Sequence, residues 1–131
     1  MREVKFKGKS LALDTTGKQW VYGSLVMESG IPFIHEDKRD GSINYHQVVK
    51  ETIGQFTGLK DKNGVEIYEG DLIKINNVEI PVEFYGYEVF YENCAFLYAY
   101  STGDDTFGQD GYLYNLGYDE IEIIGNIHDK E

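Results

Sequence analysis

Apolar and polar positions alternate with a period of two over several short stretches of this chain, and no long stripe of helical period competes with them. Glu3-Val4-Lys5-Phe6-Lys7 alternates charge with apolar residues and predicts a half-buried strand. Gln19 to Met27, rich in aromatic and β-branched residues, predicts a second, and the small residues Asp14-Thr15-Thr16-Gly17-Lys18 between them predict a hairpin or meander turn. Ile31-Pro32-Phe33-Ile34 reads as a short strand that Pro32 restricts to an edge or an end. His35 to Gly41 reads as a polar loop, and Tyr45 to Glu51 fits one helical turn or another strand.

Glycines then punctuate the run Ile53 to Tyr68, where Asp61-Lys62-Asn63-Gly64 is a turn signal because Asn and Gly accept positive φ. Leu72-Ile73-Lys74-Ile75 and Val78 to Tyr85 read as strands around Asn76-Asn77. Val89 to Tyr91 and Ala95 to Tyr100 read as another pair around Glu92-Asn93. Gly103 to Gly111 reads as a polar loop, and Glu120-Ile121-Glu122-Ile123-Ile124 as a final strand before Gly125. Many short strands joined by glycine turns predict an all-β protein of barrel-like build.

Composition narrows the functional classes. The 131 residues are 41% hydrophobic and 15% aromatic, enough for a packed core of one ordinary domain or two very small ones. Twelve basic residues stand against 23 acidic ones, a net charge of -11. The sums are +3 over residues 1–20, -3 over 21–70 and -11 over 71–131, and no Lys or Arg lies between Lys74 and Lys130. That stretch has no point cation for a phosphate backbone, which argues against nucleic acid and anionic membranes as partners. Its aromatics, among them Phe84, Tyr85, Tyr87, Phe90, Tyr91, Phe96, Tyr98, Tyr100, Phe107, Tyr112, Tyr114 and Tyr118, read as strand residues packed in a small barrel, with a Tyr-rich protein interface as the other use. A lone cysteine, Cys94, closes no intrachain disulfide, the charges of Met1 to Ser10 interrupt any apolar run of signal-peptide length, and no stretch approaches the roughly 18 apolar residues of a membrane span, so a soluble cytoplasmic protein is expected.

Gly17-Lys18-Gln19-Trp20-Val21-Tyr22-Gly23-Ser24-Leu25-Val26 aligns with Gly64-Val65-Glu66-Ile67-Tyr68-Glu69-Gly70-Asp71-Leu72-Ile73 at an offset of 47 residues. Both segments carry two glycines, a large apolar residue and a Leu followed by Val or Ile, a pattern that two related barrels in tandem would produce.

Three blocks carry a family resemblance. Arg2-Glu3-Val4-Lys5-Phe6-Lys7-Gly8-Lys9 with Gly17 to Leu25 forms the first. Ile53-Gly54-Gln55-Phe56-Thr57-Gly58-Leu59-Lys60-Asp61-Lys62-Asn63-Gly64, running on through Ile67-Tyr68-Glu69-Gly70-Asp71, forms the second, and Ile121-Glu122-Ile123-Ile124-Gly125-Asn126-Ile127 the third. In this order they resemble the phage YopX-like protein family. The resemblance implies an all-β chain of small SH3-like barrels, one or two in tandem. The single YopX-like domain over residues 1–131 would divide into an N-terminal β unit, 1–60, and a C-terminal SH3-like β-barrel, 61–131. It further implies a gene of temperate phages or prophages of Gram-positive bacteria, association into oligomers and no established catalytic residue. Gly54, Gly58, Gly64 and Gly70 then read as turns, Phe56 and Tyr68 as core or interface aromatics, and Asp71 as the opening of a strand.

Chemistry finds little support in the residues themselves, so neither catalytic, metal nor cofactor-binding residues are assigned, and no cofactor is expected. His35, His46 and His128 are scattered without metal-ligand spacing. Asp104 to Gly111 lacks the alternating ligands and terminal Glu of a calcium loop. Asp104/Asp105 and Asp119/Glu120 are adjacent carboxylates with no sign of a pocket, Glu66, Glu69 and Asp71 read as solvated turn residues, and a meeting of His46 with Cys94 would need the fold to supply it. The leading expectation is a non-enzymatic, oligomeric interaction or regulatory protein of a phage or prophage, with a host or phage protein as a further partner. The alternatives are an acidic decoy that occupies a nucleic-acid-binding site on a host protein, or a weak nucleic-acid binder through Arg2, Lys5, Lys7, Lys9 and Lys18.

Overall fold

The computed structural model describes residues 4–14, 17–76, 86–92, 95–101, 106–113, 116 and 118–128. The fold is all-β, as the alternation predicts, with antiparallel pairings throughout the registers described. The strands are β1 (Phe6–Asp14), β2 (Gly17–Glu28), β3 (Ile31–Asp37), β4 (Ile43–Gln47), β5 (Gly54–Lys60), β6 (Glu66–Tyr68), β7 (Asp71–Ile75), β8 (Gly86–Glu92), β9 (Ala95–Ser101), β10 (Thr106–Tyr112) and β11 (Ile121–Asn126). Short 3-10 turns occupy Lys50–Thr52 and Tyr118–Glu120. The chain divides into two compact units, residues 1–56 and 57–131, with the division inside β5.

In the first unit the strand order is β4-β3-β2-β1-β5. Gly23 is needed where β2 turns from β1 towards β3: its φ is 156°, and a Cβ there would lie 2.2 Å from the His35 carbonyl oxygen. After β4 the chain returns to β1, with a bridge between Val48 and Ser10 and the Val49 N–H donating to the Lys9 carbonyl at 2.9 Å. Gly8 leaves room for this return, since a Cβ there would meet the Val48 side chain at 3.1 Å. The Thr52 hydroxyl accepts from the Lys9 N–H at 2.8 Å and donates to the Val49 carbonyl at 2.6 Å, fixing the 3-10 turn against β1.

In the second unit the five-stranded order is β10-β9-β8-β7-β11, and β6 lies beside β5. Ile67, Ile73, Ile75, Tyr87, Val89, Phe96, Leu113 and Ile121 form one buried cluster, with Leu59, Tyr98, Leu116 and Ile123 packed on it. Burying side chains of this size stabilises by roughly 1.5–3 kcal/mol each before conformational entropy is counted.

Several sequence expectations are corrected. The polar loop expected from Gly103 to Gly111 instead contains β10, which pairs with β9 across a register shift between Phe107 and Gly111. Pairing with β9 outweighs the poor strand propensity of its Gly and Asp residues. The loop expected from His35 begins only after Asp37. Gly54 and Gly58 lie within β5 rather than between strands, while Gly64 and Gly70 are turn residues with φ of 80° and 88°. Tyr45 to Glu51 holds both candidate structures in succession, the end of β4 and the start of a 3-10 turn. The two aligned glycine segments fold differently: one enters a single strand, β2, and the other covers β6, a turn and β7. The strand expected at Val78 to Tyr85 and the residues Asp104, Asp105 and Cys94 lie outside the described residues.

Candidate functional site

The acidic residues of the family-like block hold strands together. Asp61, 3% exposed, accepts from the Asn63 and Val65 N–H groups at 2.9 Å through one carboxylate oxygen and from the Ile123 N–H at 3.1 Å through the other. The neighbouring Lys62 N–H donates to the Ile121 carbonyl at 2.9 Å. These contacts occupy backbone groups on the side of β11 away from β7, so the turn covers that edge of the sheet. Asp71, expected to be a solvated turn residue, is 2% exposed: it accepts from the Tyr68 N–H at 2.8 Å and the Asn126 amide at 3.0 Å. The Asn126 oxygen in turn accepts from the His128 N–H at 2.9 Å. Sequence reasoning missed this role for Asp71; for Asp61 the run Asp61-Lys62-Asn63-Gly64 is the signal of a side chain closing its own turn.

A second polar group lies on β8 and β9. The Ser101 hydroxyl donates to the Glu88 carboxylate at 3.0 Å. Burial pushes the Glu88 carboxyl above its ordinary range, while the Ser101 hydrogen bond and the charge of His128 oppose the rise. Ser101 is fully buried, which removes its hydroxyl from any approaching substrate. On the surface, Lys62 and Lys74 reach Glu122 at 3.1 and 3.3 Å and hold its carboxyl below the ordinary range. Among the described residues no group of three or more His, Cys, Asp and Glu is placed to hold a metal ion.

In the first unit the N-terminal lysines are drawn inward. Lys7 and Lys9 are only 7% and 4% exposed, and their ammonium groups lie 4.5 and 5.5 Å from the centre of the Trp20 ring, while Lys5 lies 5.0 Å from that of Phe56. The ring faces attract these cations. Buried in this way, Lys7 and Lys9 present no ammonium at the surface to a phosphate. Alternating lysines read from sequence as a solvated face; Trp20, opposite Lys9 in the ladder, was the signal that they are covered.

Strand β4 stands last in the hydrogen-bonded order of this unit, and the chain leaving it bridges back to β1 at Ser10. The Val48 N–H donates to the Pro32 carbonyl and the Lys38 N–H to the Ser42 carbonyl, and the register between β3 and β4 is unbroken from Phe33↔Gln47 to Asp37↔Ile43. In an antiparallel ladder hydrogen-bonded pairs alternate, so Asn44 and His46 point their backbone groups at β3 while Ile43, Tyr45 and Gln47 point theirs away from it. Tyr45 is 63% exposed and Ile43 43%. The Tyr45 ring meets His35 edge-on at 4.5 Å; the His35 Nε2 is buried and has no hydrogen-bond partner among the described residues. On the opposite face His46 meets Glu36 at 3.2 Å. The structure thus separates His35, His46 and His128 into three different settings. Of the aromatics noted in the acidic region, Tyr87 and Phe96 are buried, whereas Tyr91 and Tyr112 are exposed.

An antiparallel two-unit β protein, with the outer side of β11 covered by the Asp61 turn and β4 returning onto β1, is the class the geometry defines. A family model described as YopX protein matches residues 12–131, and the chain belongs to that family. A solved structure described as protein EF1440 from Enterococcus faecalis is similar at 25% identity, with a TM-score of 0.50, over 99% of this chain and 96% of that one. No curated protein matches the chain. The Asp61 and Asp71 contacts give the family-like middle block a physical meaning: it closes turns and ties them to β11.

Proposed function

We propose that this chain is a non-enzymatic interaction protein of a phage or prophage, acting in the bacterial cytoplasm and assembling with copies of itself and with a host or phage protein. The observation that carries this reading is the apolar surface of the first unit, where Tyr22, Met27, Ile31, Ile43 and Tyr45 are all exposed. The buried carboxylates Asp61 and Asp71 are committed to the fold. The two units are read as SH3-like barrels, a reading that the return of Val48 onto Ser10 supports in the first. The test is light scattering of the full chain at micromolar concentration. A mass above 15.0 kDa is expected, and a monomer throughout contradicts self-association.

A second reading is favoured by charge alone. Residues 57–131 carry sixteen acidic and four basic residues, a field that would draw a basic groove of a host nucleic-acid-binding protein. Displacement of DNA from such a protein, fading steeply with salt, is its expected signature; no displacement at low salt contradicts it.

A further inference from the structure

We infer that two copies of this chain stack face to face through the outer face of β2, β3 and β4, with their strands antiparallel about a two-fold axis. The inference rests on the self-association proposed above and names its surface. Residues paired across an antiparallel ladder share a face of the sheet, and successive residues alternate between faces. The pairs Val26↔Phe33, Glu28↔Ile31, His35↔Tyr45 and Asp37↔Ile43 therefore put Val26, Ile31, Phe33, Ile43 and Tyr45 on one face, with Glu28 and Asp37 at its two ends. The Tyr45 ring, edge-on to His35, agrees with that placement. Ile34, on the other face, is fully buried, so that face is the packed one. On the outer face Ile31, Ile43 and Tyr45 are exposed, and Val26 and Phe33 are half-buried. A contiguous apolar stripe with acids only at its rim has the make-up of a contact surface.

Charge selects a second copy as the occupant and fixes its direction. Residues 1–56 hold eight basic and seven acidic residues, whereas residues 57–131 sum to -12. Two such chains repel through their second units and meet at least cost through their first. Between Lys18 and Lys50 the only cations are Lys38 and Arg39, in the hairpin that joins β3 to β4, and Glu28 lies at the opposite end of the face. Of the acids around that hairpin, Asp40 is held by the Ser42 N–H and hydroxyl, and Glu36 meets His46 on the other face, which leaves Asp37 beside two cations. A two-fold axis lying across the strands, between the two faces, reverses the strands of one copy over those of the other. It sets Glu28 of each copy against the Lys38-Arg39 hairpin of the other, and the contact is isologous, as a closed dimer requires. An axis along the strands would instead set each hairpin over its own copy, cation against cation.

The test combines variants of the face with a charge exchange, read by light scattering over a wide range of protein concentration at low ionic strength. Tyr45→Lys and Ile31→Lys, both at exposed positions, are expected to keep the circular dichroism of the parent and to weaken self-association by about tenfold or more. Met27→Lys, exposed but on the other face, is expected to leave it unchanged. Glu28→Lys is expected to weaken association by about threefold, and Lys38→Glu with Arg39→Glu in the same chain to restore it. Failure of the exchange to restore association overturns the antiparallel stack. If the parent is oligomeric yet Tyr45→Lys and Ile31→Lys leave its mass unchanged, the face is wrong while self-association stands. If the parent stays at 15.0 kDa at every concentration, both fall.

Discussion

The two units bury different things. The second closes around eight buried apolar side chains, and its buried aspartates tie turns to strands. Among the described residues of the first, the buried side chains include Ile34, Val48 and Phe56 but also Lys7, Lys9, Ser10 and Thr52. The second unit also carries the negative charge, while the first is close to neutral and leaves Tyr22, Met27, Ile31, Ile43 and Tyr45 exposed. The lesson is that the first unit covers cationic and polar side chains while leaving several large apolar ones at its surface.

The largest effect that would break this comparison is expected at Gly23. An alanine there forces its Cβ against the His35 carbonyl, a backbone atom that no side-chain rotation relieves, at a cost of about 3 kcal/mol or more. Amide exchange is expected to show protection lost from β2 and β3 and retained at Ile73 and Val89. Equal loss in both units would deny them separate stability. Asp61→Ala comes next: it strips three backbone donors of their buried acceptor and is expected to cost about 1–3 kcal/mol in urea unfolding, with Asp61→Asn costing less. An unchanged midpoint for the alanine variant would mean that the turn does not hold β11.

The smallest effect concerns Glu88 and has a definite sign. Its folded pKa is raised above the ordinary 4.5, chiefly by burial, so the folded state binds the proton more readily than the unfolded one. Glu88 therefore destabilises the fold above its folded pKa, and the penalty disappears as pH falls towards and below 4.5. Glu88→Gln is expected to raise the melting temperature at pH 7 and to lose that advantage at pH 4. A variant less stable at pH 7 than the parent would show that the Ser101 contact outweighs burial.

Much of this was legible in the chain. Alternation exposed the strands around Val21, Ile34, Ile73 and Ile123, and the family-like blocks matched the whole. What was not legible depended on tertiary partners. Strand β10 holds Gly108 and Gly111 and exists because β9 pairs with it. Lys7 and Lys9 occupy alternate positions like any solvated row, and only the position of Trp20 across the ladder buries them. Asp71 looked like a turn residue because its partners Tyr68 and Asn126 lie three and 55 residues away, the second out of reach of any local pattern. Which residues of β4 face away from β3 was the least visible, since that follows from register and not from composition.

That alternation supplies the most direct test of the claim that the first unit is built for contact. Amide hydrogen exchange across β4, measured by NMR over a hundredfold range of protein concentration, distinguishes inward from outward N–H groups residue by residue. Asn44 and His46 are expected to be protected at every concentration, and Ile43 and Tyr45 to gain protection as concentration rises. Uniformly fast exchange at Ile43 and Tyr45 in a sample that scatters as an oligomer would contradict the account.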